Sequence, residues 1–348
     1  MERPQSEIKH YTLRNASGAE VTLSNLGAGI VAVRVPDAAG HIDNVALTYG
    51  NPADWCDDGP CAGKIPGRYA NRIALGRFSL EGKEYSLAIN NGPNHLHGGP
   101  GTQCFANRVW DAYEFDGGVC FSLHSPDGDA GYPGALDIKA EYSWSEGNKL
   151  TLKITAVSDA PTIVNLTNHV YFNLLGAEAA EKAGVDGKGA VLGHTLKLYA
   201  SRFLPSSDSL IPTGEKAPVA GTPMDFTSAK ALGSDISADF EPLKFGKGYD
   251  HCFCLDGYDG TVRPASELCC AESGRKVIMS TNQPGVQIYT GCWLDGCPDS
   301  PTGYKYHDYD AVAMECQAFP DSPNRPDFPF KPLLPGETYT NIIEWQFQ

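Results

Sequence analysis

Strict alternation of apolar and polar side chains recurs along the chain. It is clearest in VTLSN (21–25), IVAVRV (30–35), GRFSLEGKEYSL (76–87), GVCFSLHS (118–125), LDIKAEYSW (136–144) and KLTLKITAVS (149–158). A period of two sends successive side chains to opposite faces of an extended chain, so each stretch predicts a strand with one buried face. The breaks between them carry Glu81-Gly82, Asp116-Gly117-Gly118 and Glu146-Gly147-Asn148, residue types that suit tight hairpin turns. Helical periodicity is nearly absent, and one short helix is expected, over AEAAEKAG at 177–184. Strands and turns continue from residue 10 to about 346 without a linker, a repeat or a low-complexity tract. Parallel sheets would need crossover helices that this pattern does not supply. The expectation is therefore all-β: one large antiparallel β-sandwich, a supersandwich with few short helices, in a single domain spanning residues 1–348.

GAGIVA (27–32) fits a dinucleotide-binding fingerprint by spelling alone. That motif needs a helix to follow, and IVAVRVP instead alternates as a strand and ends in proline, so a Rossmann site is set aside. The 42 acidic and 27 basic side chains leave a formal charge of −15, which argues against nucleic acid or an anionic membrane as partner. No stretch approaches the roughly 18 consecutive apolar residues of a membrane span. The opening MERPQSEIKHYTLRNA has no apolar core of a secretory signal. The eleven cysteines are odd in number and irregular in spacing, with no C-x-x-C pair, so the reading is reduced, mostly buried thiols in a cytoplasmic protein rather than a metal or redox centre.

Polar residues that a sandwich core does not need gather in six places. GRYANRI (67–73) sets Arg68 and Arg72 around Asn71; alone, these read as surface arginines. NHLHGG (94–99) puts His95 and His97 on one face if extended, without a third ligand for a metal. NLTNHVYFNLLG (165–176) holds His169 beside a hydrophobic run, and GYDHCFCL (248–255) places Asp250 at the start of an apolar strand. QPGVQIYTG (283–291) spaces Gln283 and Gln287 to share a face. In AVAMECQAF, Glu315 interrupts an apolar strand, and a buried carboxylate is costly unless it is paired or used.

Taken together and in this order, GRYANRI, NHLHGG, TNH-x-YFNL, GYDH, QPGVQ-x-YTG and E-x-Q…P-D-x-x-N-x-P-x-F-P resemble the aldose 1-epimerase (galactose mutarotase) family over almost the whole chain. The resemblance implies a β-sandwich enzyme that interconverts the α- and β-anomers of free hexoses without metal or organic cofactor. It implies Glu315 as general base and His169 as general acid, with Asn71, Arg72, His97, Asp250 and Gln287 holding the sugar. The expected partner is a small monosaccharide, and the protein itself a monomer or homodimer. Ring opening needs a proton removed from the C1 hydroxyl and one given to the ring oxygen. With ordinary values, Glu315 would be ionised at neutral pH and His169 about a quarter protonated, a fraction that Asp250 would raise. Three departures bear on sugar preference: Val170, Phe319, and CAGKIPGR ahead of the first motif. A hexose-6-phosphate epimerase, a non-catalytic carbohydrate-binding sandwich and a glycoside hydrolase using Asp250 with Glu315 are the competing readings.

Overall fold

The computed structural model describes residues 7–184 and 190–348, so the first six residues of the opening segment lie outside the described part. The expected strands form where the alternation puts them. Gly118–Ser125, Leu136–Trp144 and Lys149–Ser158 carry the anticipated boundaries, and Leu136–Trp144 alternates buried and exposed along most of its length. Arg77–Leu80 and Lys83–Ser86 are joined by Glu81 and Gly82 at φ 49° and 77°, the left-handed pair that a two-residue hairpin needs. GAGIVA runs into the strand Gly29–Pro36, not a helix. The helix Ala177–Gly184 is where it was expected, whereas a second, Glu241–Gly246, was not anticipated. Six residues interrupted by Pro242 carry too little periodicity to be read.

Two antiparallel sheets face each other. In the nine-stranded sheet, Tyr339–Phe347 sits at the centre between Lys149–Ser158 and Lys276–Thr281. The six-stranded sheet aligns Tyr171–Phe172, Val312–Gln317, Gly285–Tyr289 and Asp250–Cys254 as neighbours. Ile154, Ile343 and Trp345 of the first sheet join Val286, Ile288, Val312, Met314 and Cys316 of the second in one apolar core. The even-numbered residues of Val312–Gln317 therefore enter the core, and Ala313, Glu315 and Gln317 face the other way. That second face is buried too, because long connections fold over it. Glu315 and most of the other side chains expected at the site lie between these connections and the sheet.

His194 illustrates how tightly the core is closed. It is buried and accepts a hydrogen bond from the Leu174 amide on Nε2 at 2.9 Å, and burial lowers its pKa to about 4. The folded value lies below the ordinary 6.5, so the stability it contributes is complete above pH 6.5 and is lost as pH falls through about 4. Its share is on the order of 3 kcal/mol. Urea midpoints should therefore drop between pH 6.5 and 4, and less steeply in His194→Gln; an unchanged slope in that variant would refute the assignment.

Candidate active site

A cavity of about 580 Å³ opens over the outer face of the six-stranded sheet, and Asn71, Arg72, His97, His169, Asp250 and Glu315 all line it. Six of the seven residues expected from the sequence thus converge. They come from positions more than 240 residues apart in the chain.

Glu315 is 2% exposed, and its Oε1 lies 3.4 Å from Nε2 of His169. The histidine is held through its backbone: its N–H donates to the Lys64 carbonyl and its carbonyl accepts from Gly63, both at 2.9 Å. The neighbouring Asn168 donates to the Gly63 carbonyl at 2.6 Å and to the Tyr142 hydroxyl at 3.2 Å, closing the same junction. Tyr171 packs its ring 4.9 Å from the imidazole and ties its hydroxyl to the Pro60 carbonyl. The segment 60–65 and the stretch carrying His169 are therefore one clamped unit.

A reciprocal pair of bonds joins Asn71 and His97. The Asn71 amide donates to His97 Nδ1 at 3.2 Å, and the His97 amide donates to the Asn71 carbonyl at 3.0 Å. Both residues take left-handed backbone, φ 62° and 54°. Because Nδ1 accepts, a neutral His97 carries its hydrogen on Nε2. Arg72 donates from Nε to Asn91 at 3.0 Å and lies 3.8 Å from Asp250. Gln287 is the exception to the expected lining. It stands behind Asp250, donating to its Oδ1 at 2.6 Å, and does not form the cavity wall.

Three other expectations change. His95 and His97 do not share a face, because the left-handed turn at His97 separates them; His95 is buried against Ala88 and Tyr132. Arg68 is neither on the surface nor in the site: its guanidinium is buried and bonded to the Pro133 and Gly134 carbonyls and to Ser125. Gln283 reaches Thr340 rather than the cavity. Tyr171, Tyr289, Asn91, Asp58 and Trp293 also line the cavity and were not singled out. Tyr171 and Tyr289 were legible, each two residues along a strand or extended segment from a chosen residue; Asn91 and Trp293 sit in loops with no such signal. Among the described residues, no group of three or more His, Cys, Asp or Glu side chains is gathered to hold a metal.

Burial works against the protonation expected from ordinary values. Burial, with Asp250 nearby, pushes Glu315 well above the usual carboxylate range against the pull of Arg72. Burial lowers His169 to about 4, outweighing the opposite influence of Asp58 and Asp250. Burial thus drives both groups towards their neutral forms.

A sequence model of the aldose 1-epimerase family matches residues 9–346. The aldose 1-epimerase of Escherichia coli is 37% identical over 97% of this chain and 94% of its own length. The galactose mutarotase of Bos taurus is 39% identical over 94% and 90%. Among solved structures, the aldose epimerase homologue from C. elegans superposes with a TM-score of 0.87 at 28% identity, covering 98% of this chain and 99% of that one. The galactose 1-epimerase of Lactobacillus acidophilus gives 0.84 at 29%, covering 100% and 97%. The chain belongs to the aldose 1-epimerase family. It is an isomerase, of the mutarotase class.

One buried ion pair underlies the clamp on His169. Lys64 Nζ lies 2.7 Å from Asp58 Oδ1, with both side chains about 1% exposed. Asp58 also accepts from Tyr49 and from the Ala62 amide. Lys64→Met would leave that carboxylate buried without its cation, so it should destabilise the fold by about 3–5 kcal/mol. Denaturant unfolding measures this, and a loss below about 1 kcal/mol would show the pair to be incidental.

Proposed function

We propose that the protein interconverts the α- and β-anomers of free hexoses such as D-galactose and D-glucose, with Glu315 as general base and His169 as general acid. The observation that carries this reading is the buried carboxyl–imidazole pair 3.4 Å apart on the cavity wall. Anomer exchange takes a proton from O1 and gives one to O5, and both oxygens are bonded to C1. A base and an acid this close together match two oxygens on one carbon.

In the opening step, Glu315 takes the proton of the C1 hydroxyl. The C1–O5 bond breaks with its electron pair passing to O5, and His169 delivers a proton there. Rotation about C1–C2 presents the other face of the aldehyde, and the reverse transfers close the ring. Protons balance, no covalent intermediate forms, and neither metal nor organic cofactor is called for. Burial alone favours protonated Glu315 with neutral His169, which is the arrangement that the open chain leaves behind. A sugar hydroxyl donating to Glu315 favours its ionised form and with it the protonated histidine. Both arrangements hold one proton in total. Activity should accordingly be level across neutral pH and fall as pH drops through about 4, where His169 takes a second proton.

Arg72, His97, Asn71 and Asp250 are the proposed hydroxyl and ring-oxygen ligands, with Gln287 supporting Asp250. Among the described residues, Arg72 is the one lysine or arginine on the cavity wall, against Asp58, Asp208, Asp250, Asp295 and Glu315. That balance favours neutral sugars over hexose 6-phosphates, and Arg68, the other arginine of GRYANRI, is committed elsewhere. All eleven cysteines are free thiols, which supports residence in a reducing compartment such as the cytoplasm.

Polarimetry of freshly dissolved α-D-galactose tests the assignment. Glu315→Gln and His169→Asn should each lower kcat by about two orders of magnitude or more. Asp250→Ala should instead act mainly through KM. A folded Glu315→Gln protein with near wild-type turnover would overturn the mechanism. Glucose 6-phosphate should be turned over more slowly than glucose, and the opposite ranking would move the assignment to the phosphate-sugar relatives.

A further inference from the structure

Gln287 and Glu315 are directly opposed across neighbouring antiparallel strands. Side chains at such positions lie on the same face with Cβ atoms about 5 Å apart. Both are buried, at 3% and 2% exposure. The Gln287 amide is oriented by Asp250: a carboxylate only accepts, so Gln287 must present its NH₂ there, at 2.6 Å. Its carbonyl oxygen is then the amide's free end, and among the described residues neither it nor Oε2 of Glu315, both buried, has a hydrogen-bond donor. Two acceptors opposed in this way can bond to each other only if one of them carries a hydrogen, and of the two groups only the carboxyl can.

We propose that Gln287 is a positioning residue that accepts a hydrogen bond from protonated Glu315 while donating to Asp250, so that it holds the base in the state it reaches after removing the C1 proton. This goes beyond support of Asp250 and rests on the reading of Glu315 as the base. An amide oriented in this way links the sugar-hydroxyl acceptor to the base through one side chain. It favours the neutral acid, so it delays loss of that proton as pH rises. The charged and titratable groups facing Glu315 are His169 and Tyr171 from one segment, Arg72 from the Asn71 turn, and Asp250 and Cys252 from the next strand. Gln287 adds to them a neutral acceptor fixed by a second bond and set directly opposite Glu315 in register.

Gln287→Met keeps the length and shape of the side chain and removes both hydrogen bonds. Infrared difference spectra can follow the protonated carboxyl band of Glu315, identified by its absence in Glu315→Gln. Its titration midpoint should move to lower pH by about one unit in Gln287→Met, the effect of one lost hydrogen bond. The alkaline limb of kcat against pH should move with it, and Gln287→Met should add little to the loss in Glu315→Gln. An unmoved infrared midpoint in a folded variant would overturn the proposal, as would a pure rise in KM matching that of Asp250→Ala. Absence of mutarotation in the wild type would instead defeat the functional reading, and the infrared midpoint would still judge the hydrogen bond.

Discussion

Placing a carboxyl group in the middle of a fully buried strand costs several kcal/mol unless something answers it, and much of the structure around Glu315 does so. His169 meets one oxygen, Gln287 stands opposite in register, and Asp250 and Arg72 set the local field. On the proposed mechanism, the cost is also the source of the chemistry. A carboxylate in water would be ionised and weakly basic, whereas burial raises the affinity of Glu315 for a proton and lowers that of His169. Moved in opposite directions, the two groups are brought towards proton exchange through a sugar bound between them.

That exchange depends on geometry held from outside the sheet. The sheet fixes Glu315, Gln287 and Asp250 through ladder hydrogen bonds, a rigid frame. His169, His97, Asn71 and Arg72 come from connecting segments, where backbone order must be provided by other means. The paired bonds of His169 with residues 63 and 64, the reciprocal Asn71–His97 bonds and the buried Asp58–Lys64 pair supply it. Lys64 and its neighbours lie in CAGKIPGR, so one short stretch of the chain supplies much of this bracing.

How much of this was legible in the sequence depends on the range of the interaction that decides it. The strands Leu136–Trp144 and Lys149–Ser158 could be read to the residue, because alternation is local and each has one wet face. Glu315 stood out for the converse reason: a lone acid in an apolar run has no local explanation. Six of the seven expected site residues line one cavity, since ordered motifs carry positions along with their neighbours. The missed helix Glu241–Gly246 was too short for any periodicity to declare itself.

The amino-acid sequence by itself determined the all-β class, the register of faces within each strand and the identity of the acid and base candidates, because those follow from side-chain types at fixed spacing. Only the tertiary structure decided the direction in which the two groups are pushed, since burial acts on Glu315 and His169 in ways that residue type does not show. It also decided that Arg68 and His95 are structural, through carbonyl and hydroxyl partners tens of residues away. And it set Gln287 behind Asp250 rather than against the cavity, because the pairing of three strands, and not the spacing along one, determines which amide faces a substrate and which faces a carboxylate.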